Sequence, residues 1–259
     1  MSSDRQRKLD AVVARLQLQY GPRAVGKAAP VSEPIAHLST TFPELDDALG
    51  GGLPRGRITE IVGPATSGKV TLAAKTLSAA HGEREAPSAG SGQGLVAWLD
   101  LPRTCDPDYL HRCGLDLDRL LVVRPRDAAD ALAISLHLVE SNTLTALVFD
   151  GTAQLAQTAP ATVAGSLERL ATLVTQTQTA VIFLTERASA LPKPSAQSQT
   201  LAHVATVRLA LRREQWLMRG NDVRGYAGQV EILKHRLGRA GAIVPLRIVF
   251  NGTVRGEGL

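Results

Sequence analysis

A short run of glycines with one lysine carries the plainest chemistry in this sequence. Gly63-Pro-Ala-Thr-Ser67-Gly68-Lys69-Val70 has the spacing of a phosphate-binding loop. An apolar stretch that reads as a strand, residues 58–62, precedes it, and a helix predicted over residues 71–81 follows. In that setting the glycines let backbone N–H groups turn inward around phosphate oxygens. The helix N-terminus adds its positive dipole end, and Lys69 sets a point charge against the terminal phosphates. Val70 breaks the pattern, because a Ser or Thr hydroxyl is needed there to hold Mg²⁺. The next hydroxyl, Thr71, lies about 100° further round a helix with about 3.6 residues per turn. The loop therefore predicts phosphate cradling with compromised metal binding.

A second chemical group stands at the end of the near-continuous apolar strand 144–149. Asp150 closes that strand, and a carboxylate at the C-terminal edge of a sheet faces a phosphate loop and holds Mg²⁺ through water. A strand-end Asp is also a common turn former, so its weight comes from the loop it accompanies. Thr71 and Asp150 are the candidate metal ligands.

These groups need a scaffold, and the hydrophobic pattern supplies one. Short β-rich runs at 58–62, 95–99, 120–123, 144–149 and 180–184 alternate with helical stretches at 71–81, 128–140 and 162–175. Such alternation predicts an α/β fold, with a mainly parallel twisted sheet flanked by helices. The last third differs: strands at 205–211, 229–233 and 245–250 have few helices between them, and Asn251-Gly252 is a turn signal. The sheet is expected to finish antiparallel. Residues 82–93 and 186–200 read as mobile loops. Ahead of this core, Leu9, Val12, Val13 and Leu16 make an apolar stripe on an N-terminal helix, which Gly21-Pro22 ends. Residues 1–35 are thus read as a helix and linker and 36–259 as the core. The helix either folds back on its own core or docks on a neighbouring molecule, and the sequence leaves both open.

Composition sets outer limits. Hydrophobic residues are 44% and charged residues 20%, which suits a folded globule and not a disordered chain. Aromatics are sparse at 3%, so the core must be built from Leu, Val, Ile and Ala. A net charge of +5 permits nucleic-acid contact without requiring it. The two cysteines, Cys105 and Cys113, lack zinc-site partners at ligand spacing. A polar N-terminus and no apolar run near the roughly 20 residues of a membrane span predict a soluble, cytoplasmic protein.

Residues around the loop resemble a known family. Leu38-Ser-Thr-Thr-Phe-Pro-Glu-Leu-Asp-Asp-Ala-Leu49 and Gly52-Leu-Pro-Arg-Gly-Arg-Ile-Thr-Glu-Ile-Val-Gly63 are similar to the entry of the bacterial RecA recombinases into their phosphate loop. Asp106-Pro107, Tyr109 and Gly114-Leu-Asp116 resemble the family's adenine-contacting segment. The resemblance implies that Asp106 bonds the base and Tyr109 stacks on it. Lys234 and Arg236 fall where the family has two lysines that reach a neighbour's nucleotide across a filament interface. Arg keeps that charge and changes its geometry. Arg255-Gly-Glu-Gly-Leu259 resembles the end of the RecA core, without the family's separate C-terminal domain.

Departures from the family fall at functional positions. Where the family has a water-activating carboxylate, two residues past Asp100, this chain has Pro102, which cannot act as a base. The phosphate-sensing Gln position holds Glu186. The first DNA-binding loop is cut to residues 151–160, and the second offers only Arg187 and Lys193 as cations. With Val70, the degenerate positions are Val70, Pro102 and Glu186. A RecA-like chain of this kind is similar to the ImuA group, and that resemblance implies accessory work in SOS-type DNA-damage tolerance and translesion mutagenesis. The implied partners are RecA, an ImuB-like inactive Y-family polymerase homologue and, through it, an error-prone replicative-type polymerase, with weak or indirect DNA binding near the nucleoid. The competing expectation is an active DNA-dependent ATPase of RecA type. A third is a module that holds ATP through Lys69, Tyr109 and Asp106 without cleaving it. The sequence leaves open whether ATP is bound.

Overall fold

The structure, a computed structural model, describes residues 3–21, 35–82, 94–186, 195–250 and 254–257. The chain divides into two compact units, 1–35 and 36–259. The first contains helix α1, Ser3–Tyr20.

The second unit opens with strand β1 (His37–Leu38), helix α2 (Pro43–Leu49) and strand β2 (Leu53–Pro54). Strand β3 (Ile58–Gly63) leads through the glycine-rich loop into helix α3 (Lys69–Gly82). Strand β4 (Leu95–Asp100), helix α4 (Pro107–Arg112), strand β5 (Leu120–Val123) and helix α5 (Ala128–Glu140) follow. Then come strand β6 (Leu144–Asp150), helix α6 (Pro160–Val174), strand β7 (Ala180–Glu186) and helix α7 (Ala196–Val204). Strands β8 (Val207–Arg219), β9 (Asp222–His235), β10 (Ile243–Phe250) and β11 (Val254–Glu257) complete the chain.

Nine strands form one sheet in the order β11-β10-β9-β8-β3-β7-β6-β4-β5. Pairing is parallel from β8 through β3, β7, β6 and β4 to β5, and antiparallel from β8 out to β11. The expected parallel sheet with an antiparallel end is therefore present. Helices cover both faces, and period-2 alternation sorts each strand between two cores. On one face Ile61, Trp98, Val148 and Ile182 pack against Leu72 and Leu77 of α3. On the other, Leu99, Phe149 and Phe183 pack against Leu132 of α5 and Leu167 of α6. Burial on both faces explains why β6 reads as an unbroken apolar run.

Capping chemistry sets where the helices begin. Asp127 caps α5 by accepting from Asp130 N–H, and Pro107 and Pro160 open α4 and α6, where their missing N–H groups cost nothing. Two sequence expectations change. Part of the segment read as a loop over 186–200 is helical, because α7 starts at Ala196 with Ser195 accepting from Ser198 N–H. Strands β8 and β9 also run far past their apolar cores at 205–211 and 229–233. Their outer parts are paired as a hairpin, Arg219 opposite Asp222, so ladder hydrogen bonds extend the strands beyond their apolar cores. The turn at 251–252, the loop at 83–93, Arg187 and Lys193 lie outside the described residues.

Candidate nucleotide-binding site

Parallel register brings the chemistry to one edge of the sheet. Gly63 pairs with Glu186, Asp150 with Leu184 and Asp100 with Asp150, so the C-terminal ends of β3, β7, β6 and β4 meet beside the phosphate loop. Gly68 has φ +97°, and a Cβ there would lie 2.4 Å from the Tyr226 hydroxyl. A Cβ on Gly63 would lie 2.4 Å from Ser67 Oγ. Both positions require glycine for close approach. Ser67 is buried, and its Oγ has no protein partner. Thr66 (φ +60°) accepts a hydrogen bond of 2.8 Å from Arg213 Nη1.

Lys69 is largely buried and donates to the Pro64 carbonyl at 3.2 Å. Burial lowers its pKa, and the carboxylates of Glu186 and Asp150 oppose that shift. Asp150 is pushed up to about 6, first by burial and then by the neighbouring Asp100 carboxylate, with Lys69 working against both. A folded-state pKa above the unfolded value means that Asp150 stabilises the fold fully only below about pH 4. That contribution fades as pH rises through about 6. Asp150→Asn is expected to remove about 3 kcal/mol of this pH dependence. The comparison is between urea midpoints for the two proteins at acidic and neutral pH.

Asp100 is fully buried, accepts from Thr104 N–H at 2.9 Å and pairs with Arg124 Nε at 3.3 Å. Pro102 follows it, and the Pro102 Cδ lies 3.0 Å from where a Gly151 Cβ would stand. The position expected to activate water thus holds an apolar proline ring near the start of the segment after β6. Residues 152–157 after Asp150 form a short 3₁₀ helix leading into α6.

The expected base-contacting residues sit on α4. Asp106 caps that helix, its Oδ1 accepting from Asp108 N–H at 3.0 Å and Tyr109 N–H at 3.2 Å. The Tyr109 hydroxyl bonds Thr71 Oγ1 at 2.6 Å, and the Tyr226 hydroxyl is 3.2 Å from the same oxygen. Burial pushes Tyr226 up to about 12 and raises Tyr109 as well. Phosphate chemistry fits this donor set: inward glycines, a buried Ser67 hydroxyl and Lys69. Magnesium fits poorly. Val70 brings no oxygen, and the Thr71 hydroxyl is held between two phenols.

Lys234 and Arg236 are gathered elsewhere. Lys234 Nζ donates to the carbonyls of Ala202 and His203 at 2.8 Å each, and Arg236 donates to the His203 carbonyl. Both therefore cap the negative C-terminal end of α7. Burial, then Arg236 and Arg208, pushes Lys234 down to about 8.

Sequence reasoning missed Tyr226, Arg213 and the Glu60–Arg208 pair. Rarity was the available signal for Tyr226, one of three tyrosines in an aromatic-poor chain.

A phosphate loop between a central parallel strand and a helix, on a sheet that ends antiparallel, defines a RecA-like nucleotide-binding fold. The RecA N-terminal domain family matches residues 7–255, and the chain belongs to that family. It is 33% identical over 257 residues to Protein RecA of Streptomyces venezuelae, covering 91% of this chain and 66% of that protein. Protein RecA of Clavibacter michiganensis is 33% identical over 258 residues, covering 91% and 69%. That of Arthrobacter sp. is 30% identical over 277 residues, covering 98% and 76%. The chain spans about two thirds of the length of the first two. Among the described residues no helix is long and apolar enough to cross a membrane.

Proposed function

We propose that this chain is a catalytically deficient RecA-like accessory protein that acts in SOS-type DNA-damage tolerance and translesion mutagenesis. Its work is to bind RecA, an ImuB-like inactive polymerase homologue, or both, and through the latter an error-prone replicative-type polymerase. The observation that carries this reading is Pro102, which offers no proton acceptor at the position where the RecA resemblance implies a base. Val70 and the engaged Thr71 hydroxyl support it from the metal side. The retained scaffold offers protein-binding surfaces, with DNA contact weak or indirect. ATP, where bound, is held by Lys69 and the loop around Gly63, Ser67 and Gly68, with Asp106 and Tyr109 on the base side. Mg²⁺ plays little part. The protein works in the cytoplasm, at the nucleoid when damage is being copied.

A second reading is an active DNA-dependent ATPase in recombinational repair. It is favoured by the name the relatives carry and by the intact phosphate cradle. Tagged protein recovered from DNA-damaged cells separates the two. The accessory reading expects RecA and a polymerase homologue to co-purify with the chain, and recovery of neither counts against it.

A further inference from the structure

The hairpin of β8 and β9 reaches over to the phosphate loop and to the first turn of α3. Arg213 donates to Thr66, and the Tyr226 phenol rests on Gly68 and bonds Thr71. Tyr226 is 5% exposed. Its ring stands edge-on to Trp216 at 6.0 Å and to Phe250 at 5.9 Å, while Arg213 lies over Trp216 at 4.2 Å. Packing explains a ring at this place but not its hydroxyl. A phenylalanine would fill the same space without burying a polar atom whose hydrogen bond must offset its desolvation.

The location of that hydroxyl is what matters. On the proposed reading, a nucleotide held by this loop has its phosphates at the N-terminus of α3 and its base at Asp106 and Tyr109. Thr71, in the first turn of α3, lies between those two places, because Tyr109 reaches it directly at 2.6 Å. The Tyr226 hydroxyl stands on that same oxygen and on the open face of Gly68.

We infer that Tyr226 is an affinity-determining plug: its phenol takes the ground at Gly68 and Thr71 that the sugar–phosphate junction of a nucleotide must occupy. Binding then requires the phenol to leave, and the apparent affinity falls by the fraction of molecules in which it has left. This inference rests on reading residues 63–70 as a phosphate loop and Asp106 and Tyr109 as its base side. It is independent of the adaptor role, since a plugged or an open pocket could each sit on an accessory protein.

The test is ADP binding to the full chain by calorimetry, comparing the unaltered protein with Tyr226→Ser and Tyr226→Phe. The serine variant is expected to bind ADP about tenfold tighter, the gain from opening a plug closed in roughly nine molecules of ten. Adding Lys69→Ala should abolish the gain. The phenylalanine variant keeps the Trp216 and Phe250 packing but drops the hydroxyl, and a smaller gain is expected. Equal or weaker binding by a folded serine variant overturns the proposal, as does a gain that survives Lys69→Ala. If the serine variant does not fold, the phenylalanine variant decides: tighter binding supports the plug, and equal or weaker binding overturns it. Loss of RecA partnership, measured separately, would bear on the accessory role and leave this result standing.

Discussion

Supplied with ATP, Mg²⁺ and single-stranded DNA, the purified protein is expected to release phosphate about 10²–10⁴ times more slowly than a RecA that keeps its water-activating carboxylate, the usual contribution of general-base catalysis. Three features converge on that outcome. Pro102 carries no proton acceptor at the position where the RecA resemblance implies the water-activating carboxylate. Of the carboxylates at that edge, Asp100 is committed to Arg124 and Thr104, and Asp150 is pushed up to about 6 by burial and by Asp100. Glu186 adds negative charge opposite Gly63, where a terminal phosphate would already carry it. Any residual release is expected to be indifferent to Lys69→Ala, because it would not depend on the loop. DNA-stimulated hydrolysis that Lys69→Ala abolishes would make the chain an enzyme.

Arg208→Met is expected to cost about 3 kcal/mol of stability, the lower part of the range for removing one partner of a buried ion pair. Glu60 lies in the central strand β3 with its side chain fully buried, whereas Arg208 on the neighbouring β8 is 25% exposed. Arg208 Nε donates to Glu60 Oε2, and Thr185 Oγ1 donates to Oε1 at 2.8 Å. Without the guanidinium, a carboxylate is left in the core with one hydroxyl partner. The partial exposure of Arg208 is why the lower figure applies. Replacing both residues, Glu60→Met with Arg208→Met, should recover most of the loss, since apolar substitutes for a whole buried pair are often neutral. Urea midpoints of the single and double variants give the comparison.

The scaffold was legible because its strands are buried on both faces and carry their pattern in consecutive residues. The 63–70 loop, the strand ending at Asp150 and the α5 helix all declare themselves within a window of a dozen residues. The long hairpin did not, because its outer half is held by ladder hydrogen bonds between residues such as Arg219 and Asp222, and its charged residues interrupt the apolar pattern there. Helix α7 was hidden for a related reason, since its short run of Ala, Gln, Ser and Thr has little apolar periodicity and only a serine cap announces it. At the site, Lys69, Asp150 and Pro102 could be placed from spacing. The company they keep could not. Tyr226 stands 155 residues from Thr71 and Arg208 stands 148 residues from Glu60, and contacts of that separation follow from strand order alone. Lys234 and Arg236 show the same limit, because their binding to the end of α7 depends on a helix the sequence did not reveal.

The accessory role is tested most directly by adding this protein to RecA assembled on single-stranded DNA. Filament length by electron microscopy and RecA's ATP hydrolysis would be recorded over a range of ratios. A protein that engages RecA but supplies neither turnover nor complete DNA-binding loops should shorten the filaments or change their hydrolysis rate in proportion to the amount added. Filaments of unchanged length and unchanged rate, even at equal concentrations of the two proteins, would contradict it.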